Sequence, residues 1–170
     1  MSPISISRWL AREVDSLQFS NPVTCVYNPL IYARKSHEAY LEQHAKQGLE
    51  ALFLGMNPGP WGMAQTGVPF GATGVAQSFL HIEARELQTP PNAHPKRPIE
   101  GMALERQEIS GTRLWNLMEA HFGTVEHTFD NIFVVNHCPL LLLGETGKNI
   151  TPNNLPAAIM TPLLKACDEH

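Results

Sequence analysis

The chain has 170 residues, is 43% hydrophobic and carries a formal net charge of −4. Such a length and apolar content suit one compact domain with a core of its own, and no stretch is long and apolar enough to read as a membrane span. The mild acidity argues against a protein that coats nucleic acid nonspecifically, because that binding comes from Lys and Arg neutralising phosphates, but it leaves room for an enzyme that holds a few nucleotides in one groove.

The first segment, MSPISISRWLAREVDS, meets acidic residues early and lacks the basic start, apolar run and small-residue cleavage site of a secretory leader. Trp9, Leu10, Val14 and Leu17 recur at helical spacing, which predicts a helix over Ile6 to Leu17. After the turn-rich Ser20-Asn21-Pro22 a second helix is predicted from Tyr32 to Gln47, with Gly48 as its stop. The apolar run Leu49 to Leu54 then leads into Gly55-Met56-Asn57-Pro58-Gly59-Pro60, a buried strand feeding a Gly/Pro loop. Gln88 to Gly101 (QTPPNAHPKRPIEG) is too rich in proline to be regular and reads as an ordered surface loop. Gly111 to Phe122 is helical in spacing (Leu114, Leu117, Met118) and ends at Gly123. A second short strand covers Asn131 to Val135 and closes on Asn136-His137-Cys138-Pro139. Thr151-Pro152 supplies a cap and first-turn pair for a last helix over Leu155 to Asp168.

Strand, helix and strand in that order predict a parallel α/β sheet with right-handed crossovers, in which ligands sit beyond the carboxyl ends of the strands. Both polar loops, Gly55 to Pro60 and Asn136 to Pro139, fall at such ends. A sheet of only the two strands visible in the sequence would leave its edges uncovered, so the natural domain is expected to continue beyond residue 170. No repeat, low-complexity tract or linker divides the chain, and residues 1–170 are expected to form a single domain.

The chemistry-bearing residues cluster in those loops. Gly55 to Gly71, GMNPGPWGMAQTGVPFG, is dense in glycines that let a backbone approach a ligand and prolines that hold its N–H groups in place; loops of this composition are as often plain turns. Asn57 and Asn136 each follow a strand, and an amide offers one acceptor and two donors for reading a nucleobase edge or holding a water. Singly, each would more often bond its own backbone. Phe70, in a Pro-Phe-Gly loop, offers a face on which a base could stack, against the commoner use of packing into the core. Lys96 and Arg97 put two cations on a proline-stiffened loop suited to phosphate contacts, or a solvated basic turn. None of the eight histidines pairs with another His or Cys at zinc spacing, and no P-loop pattern occurs. Cys25, Cys138 and Cys167 are odd in number and in no paired spacing, which argues against a disulfide framework and for a reducing, intracellular setting.

Taken whole, GMNPGPWGMAQTGVPFG resembles the first motif of the single-strand-selective monofunctional uracil-DNA glycosylases, within the uracil-DNA glycosylase superfamily. HPKRPIEG (His94 to Gly101), SGTRLW (Ser110 to Trp115) and VVNHCPLLLLGETGKNITPNNLP (Val134 to Pro156) resemble the same family in the same order, so the likeness runs from about Gly48 to Asp168. The resemblance implies a three-layer α/β/α fold around a central, mainly parallel sheet, with its C-terminal part missing here. It also implies a monofunctional, cofactor-free and metal-free DNA repair enzyme that removes uracil, and 5-substituted uracils such as 5-hydroxymethyluracil, from single- and double-stranded DNA. By that resemblance Asn57 is the catalytic residue that positions water, Phe70 stacks on the flipped base, and Asn136 pairs with the uracil edge. Met56 and Gly59 line the base pocket through their backbone, and Lys96 and Arg97 meet DNA. A monomer is expected, cytoplasmic in a bacterium or nuclear in a eukaryote, with no membrane association. Two departures stand out: Trp61 replaces a frequent Phe, and Ala72 to Gln77 differs from the family's usual continuation, which begins with an acidic residue. The family's second motif, a His-Pro-Ser-Pro-type loop, would follow Asp168. The rival readings are a mismatch-directed G·U/G·T glycosylase of the same superfamily, a nucleobase- or DNA-binding α/β module that breaks no bond, and a small-molecule hydrolase.

Overall fold

The computed structural model describes residues 1–83 and 86–169. Helix α1 (Pro3–Asp15) begins three residues before the apolar periodicity predicts, because Ser2 caps it: its Oγ accepts from the Ser5 N–H at 3.2 Å and Pro3 takes the first turn. The next predicted helix divides in two at Ala33, whose backbone leaves the helical region. The pieces are α2 (Pro29–Tyr32) and α3 (Arg34–His44).

Strand β2 (Ala51–Gly55), numbered after the short β1 (Cys25–Tyr27), pairs in parallel with β3 (Ile132–Asn136), so the two strands legible in the sequence do lie side by side. Between them run the one-turn α4 (Met63–Thr66), α5 (Thr73–Ser78), α6 (Ile109–Phe122) and α7 (Val125–Asn131). Gly123, at φ +79°, ends α6 as the sequence implies. Beyond β3, strand β4 (Leu141–Leu143) turns back to pair antiparallel with β1, and α8 (Ala157–Asp168) closes the chain after a 3-10 turn at Pro152–Asn154. The described strands thus form two separate pairs, one parallel and one antiparallel. The antiparallel pair is absent from the sequence reading, since each partner is only three residues long and neither shows alternation.

Four apolar clusters among the described residues hold these pieces together, the smallest of them Ala11, Leu30 and Met63. One joins β3 to α3, α5, α6 and α7 through Phe133, Val134, Tyr40, Val75, Trp115 and Phe129. A second packs Leu142 and Leu140 against Val14 of α1 and Leu163 of α8. On the other face of β4, Leu141 and Leu143 meet Tyr27, Tyr32 and Ala64. β4 is therefore buried on both faces, whereas β2, expected from its apolar run to be a buried strand, is not: Leu52 is 61% and Leu54 59% exposed, because no described element packs over them. Among the described residues no helix is long and apolar enough to cross a membrane, and the three cysteines are buried thiols.

Candidate active site

The parallel register sets Gly55 opposite Asn136, and the ladder continues past the strand ends as His137 N–H donates to Gly55 O (2.8 Å) and Cys138 N–H to Met56 O (2.9 Å). Both polar loops consequently leave the sheet at the same point. A cavity of about 150 Å³ lies there, lined by Asn57, Gly59, Phe70, Glu108, Ser110, Asn136 and Asn149. Four of the residues singled out in the sequence (Asn57, Gly59, Phe70 and Asn136) meet at this cavity.

Glycines make the meeting possible. A Cβ on Gly55 would collide with Asn136 Oδ1 and lie 2.5 Å from the Phe70 ring, so the missing side chain is the space both groups occupy. Phe70 itself has φ +54°, a left-handed backbone uncommon for a bulky residue and costing on the order of 1–3 kcal/mol. Its surroundings hold it there. Thr66 Oγ1 donates to Gly71 O (2.8 Å) and accepts from Val68 N–H (3.1 Å), and α6 approaches so closely at Gly111 that a Cβ would strike Phe70 O.

The rest of the Gly/Pro loop is laced down by buried polar groups. Gln65, 1% exposed, donates to Pro60 O (2.9 Å) and Pro98 O (3.0 Å) and accepts from the N–H groups of Glu100 (2.8 Å) and Gly101 (3.1 Å). One amide thereby ties the first motif to the HPKRPIEG loop with its full bonding capacity used. Tyr32 donates to Ala64 O (2.5 Å), and the buried His37 bonds Gly67 O at 2.8 Å through Nδ1, which must carry the proton because a carbonyl only accepts. Burial holds the His37 pKa below the ordinary imidazole value, in keeping with a neutral ring.

Asn57 Nδ2 donates to Leu140 O and to Asn149 Oδ1, both at 3.3 Å. Asn136 Nδ2 donates to Met63 Sδ at 3.2 Å, leaving its Oδ1 beside Gly55 and Phe70. Among the described residues Glu108 is the one titratable group on the wall, its carboxylate tucked where a Cβ on Gly59 or Gly62 would stand. Burial raises the Glu108 pKa above its ordinary value, offset in part by a hydrogen bond from Ser110. The cavity is thus amide-rich and aromatic, with one carboxyl on its wall, which suits recognition of a flat polar heterocycle.

Three of the expected residues lie elsewhere. The Met56 side chain is 49% exposed and outside the cavity lining, though its carbonyl joins the strand ladder. Lys96 and Arg97 pack over Gly147, two residues from Asn149, and the Arg97 guanidinium lies 4.9 Å from the Trp61 ring centre. Arg106 covers the same ring at 4.3 Å, a pairing the sequence does not reveal. Glu108 and Asn149 also escape sequence reasoning. The signals are slight: Glu108 stands two residues before the SGTRLW segment, and Asn149 is one polar residue in GKNIT.

No family model matches the chain. It is 42% identical over 179 aligned positions to the single-strand selective monofunctional uracil DNA glycosylase of Mus musculus, covering 99% of the chain and 64% of that relative. The corresponding Bos taurus protein is 47% identical (92% and 57% covered), and the Rattus norvegicus protein 45% identical (94% and 57% covered). Among solved structures, that of wild-type Pedobacter heparinus SMUG2 superposes with a TM-score of 0.53 at 14% identity, covering 96% of this chain and 67% of that one, a likeness of fold. The chain therefore spans about six-tenths of the length of these curated relatives. Along nearly all of its own length it is a homologue of the single-strand selective monofunctional uracil-DNA glycosylases.

Proposed function

We propose that the chain acts in DNA repair as a monomeric, monofunctional glycosylase that hydrolyses the N-glycosidic bond of uracil in DNA and leaves an abasic site. The observation that carries this reading is the convergence of Asn57, Phe70 and Asn136 on one cavity at the carboxyl ends of β2 and β3. At about 150 Å³ it falls below the roughly 300–1,000 Å³ of sites for drug-sized ligands, as a pocket for a single base should.

Reaching such a pocket requires the nucleotide to leave the stack, at a cost of a few kcal/mol in a duplex and least in single strands or mismatches. The base then lies on Phe70, with Asn136 accepting from N3–H and donating to O4. Cytosine presents the opposite pattern at those atoms, and a buried polar group left unpaired discriminates by orders of magnitude. The backbone at Met56 and Gly59 lines the base, and 5-substituted uracils such as 5-hydroxymethyluracil fit once the Glu108 side chain, which fills the place of a Gly59 Cβ, turns aside. Lys96 and Arg97 take up phosphate charge next to the pocket.

Asn57 is neutral, so it orients rather than strongly deprotonates. The barrier falls mainly by aimed dipoles stabilising a departing uracil anion and an oxocarbenium-like sugar. The C–N bond breaks with its electron pair on the base. The water held by Asn57 bonds to the anomeric carbon, one of its protons remaining on the new hydroxyl and the other ending on the released base. Among the described residues no lysine lines the cavity to act as an amine nucleophile, so the product is expected to be an unbroken strand with an abasic site. The same reading takes β2 and β3 as the parallel nucleus of a three-layer α/β/α sheet, supported by the exposed apolar side chains of β2, which among the described residues pairs with β3 alone.

The test is base release from oligonucleotides carrying uracil or 5-hydroxymethyluracil in single strands, in duplexes, and opposite guanine. Release from single strands supports the proposal. Release confined to G·U and G·T pairs would move the chain to a mismatch-directed activity, and tight binding without release would leave a recognition module.

A further inference from the structure

Asn149 touches Asn57 at the cavity wall. It sits where the 144–149 loop returns to β4: Leu143 bridges Asn149, and Ile150 N–H donates to Leu142 O at 2.8 Å. From there its side chain reaches the cavity, accepts from Asn57 Nδ2 at 3.3 Å and donates through its own Nδ2 to Pro58 O at 3.4 Å.

This chain of amides has one consistent orientation. Leu140 O and Pro58 O are obligate acceptors, so the atom facing each must be an amide nitrogen. With Asn149 Nδ2 on Pro58, its Oδ1 turns to Asn57. Both N–H bonds of Asn57 are then spent, on Leu140 O and on Asn149 Oδ1. The group Asn57 has left to offer the cavity is its carbonyl oxygen. A water that attacks an anomeric carbon must donate a hydrogen to an acceptor while its lone pair faces the carbon, and an Asn57 turned the other way would present N–H donors and misalign it.

We infer that Asn149 is a positioning residue, one that fixes the Asn57 amide with its oxygen toward the nucleophilic water. The inference rests on the catalytic reading of Asn57. Without Asn149, Asn57 keeps a single long bond to Leu140 and can rotate, so the loss falls on the chemical step and leaves base binding in place.

The experiment is a double-mutant cycle on the 170-residue chain with Asn57→Ala, Asn149→Ala and both together, followed by single-strand uracil release and melting temperature. Asn149→Leu, which keeps side-chain volume, stands beside Asn149→Ala in case the smaller residue fails to fold. Expected for Asn149→Ala is a fall in kcat on the order of 10- to 100-fold with KM nearly unchanged. The double variant should be no slower than Asn57→Ala alone, because Asn149 acts only through Asn57. A readout independent of turnover is the side-chain ¹H–¹⁵N pair of Asn57, which should shift and exchange faster with solvent in both Asn149 variants. Folded Asn149 variants with wild-type kcat and unmoved Asn57 amide signals, beside an inactive Asn57→Ala, would overturn the inference alone. Strictly multiplicative losses would also overturn it. Wild-type release by Asn57→Ala would overturn the catalytic reading beneath it.

Discussion

Gly55 shapes the cavity by what it lacks, because Phe70 and Asn136 both occupy the volume that its Cβ would take. Gly55→Ala must displace one or both, and both are side chains that can move without unfolding the sheet. We expect a loss of uracil release of at least about 100-fold, the scale of an ångström-level misplacement in a positioned site. The melting temperature should fall far less, and a melt run beside the release assay checks the contrast. Glu108 is a cavity residue whose ionisation bears on stability. Its pKa is raised by burial, so the folded state holds the proton more firmly than the unfolded chain does. The stability this group contributes is full below its unfolded value and is lost as pH rises through the folded value. Glu108→Gln, which cannot ionise, should melt near wild type at acidic pH and progressively higher than wild type towards neutrality. A gap that is constant with pH would remove the carboxyl from that role.

The elements bring these residues together through close approaches. At Gly111, α6 touches the carbonyl of Phe70, and any side chain there must push the helix and the loop apart. Gly111→Ala should therefore destabilise by about 1–3 kcal/mol, the usual cost of overpacking, and should cost activity as Phe70 shifts; denaturant unfolding with release kinetics measures both. This approach shows what the sequence can and cannot convey. Asn57 and Asn136 are legible because strand-then-polar-loop patterns mark the carboxyl ends of β2 and β3, Phe70 because it is an aromatic in a Pro-Phe-Gly loop, and the pairing of the strands follows from the elements between them. Glu108 and Asn149 are not, since what makes them matter is contact with Gly59, Gly62, Asn57 and Pro58, all more than 40 residues away in the chain. The same physics hides β1 and β4. Three residues carry no periodicity, and the run Leu140 to Leu143 is apolar at every position because β4 is buried on both faces. The helix over Tyr32 to Gln47 is legible in place but not in its break at Ala33 or in its start at Pro29.

On the scale of the whole molecule, charge and apolar surface are both unevenly spread. A chain of net charge −4 nonetheless sets Arg97 and Arg106 over Trp61, with Lys96 on the same loop as Arg97. Apolar exposure concentrates on β2 and the residue after it, with Leu52, Leu54 and Met56 each about half exposed or more, next to a trough of about 350 Å³ lined by Leu10, Leu41 and Phe133. Among the described residues β2 pairs with β3 alone, and an exposed apolar strand of this kind is a surface that binds apolar probes. The 170-residue chain should accordingly enhance the fluorescence of an apolar dye, and the Leu52→Lys/Leu54→Lys pair should reduce that signal with little change in melting temperature. Dye binding that the two lysines leave unaltered would mean that this edge is covered in solution.

In the function proposed, uracil hydrolysis occurs at the meeting of the two strand ends, with Asn57 as the residue that aims the water. Its most direct test is single-turnover release of uracil from a labelled single-stranded oligonucleotide by the wild-type chain and by Asn57→Ala, with binding of the same oligonucleotide measured in parallel. The account predicts release by the wild type and a loss of about 100-fold or more in the variant, with oligonucleotide binding retained. Equal release by the two proteins would contradict it.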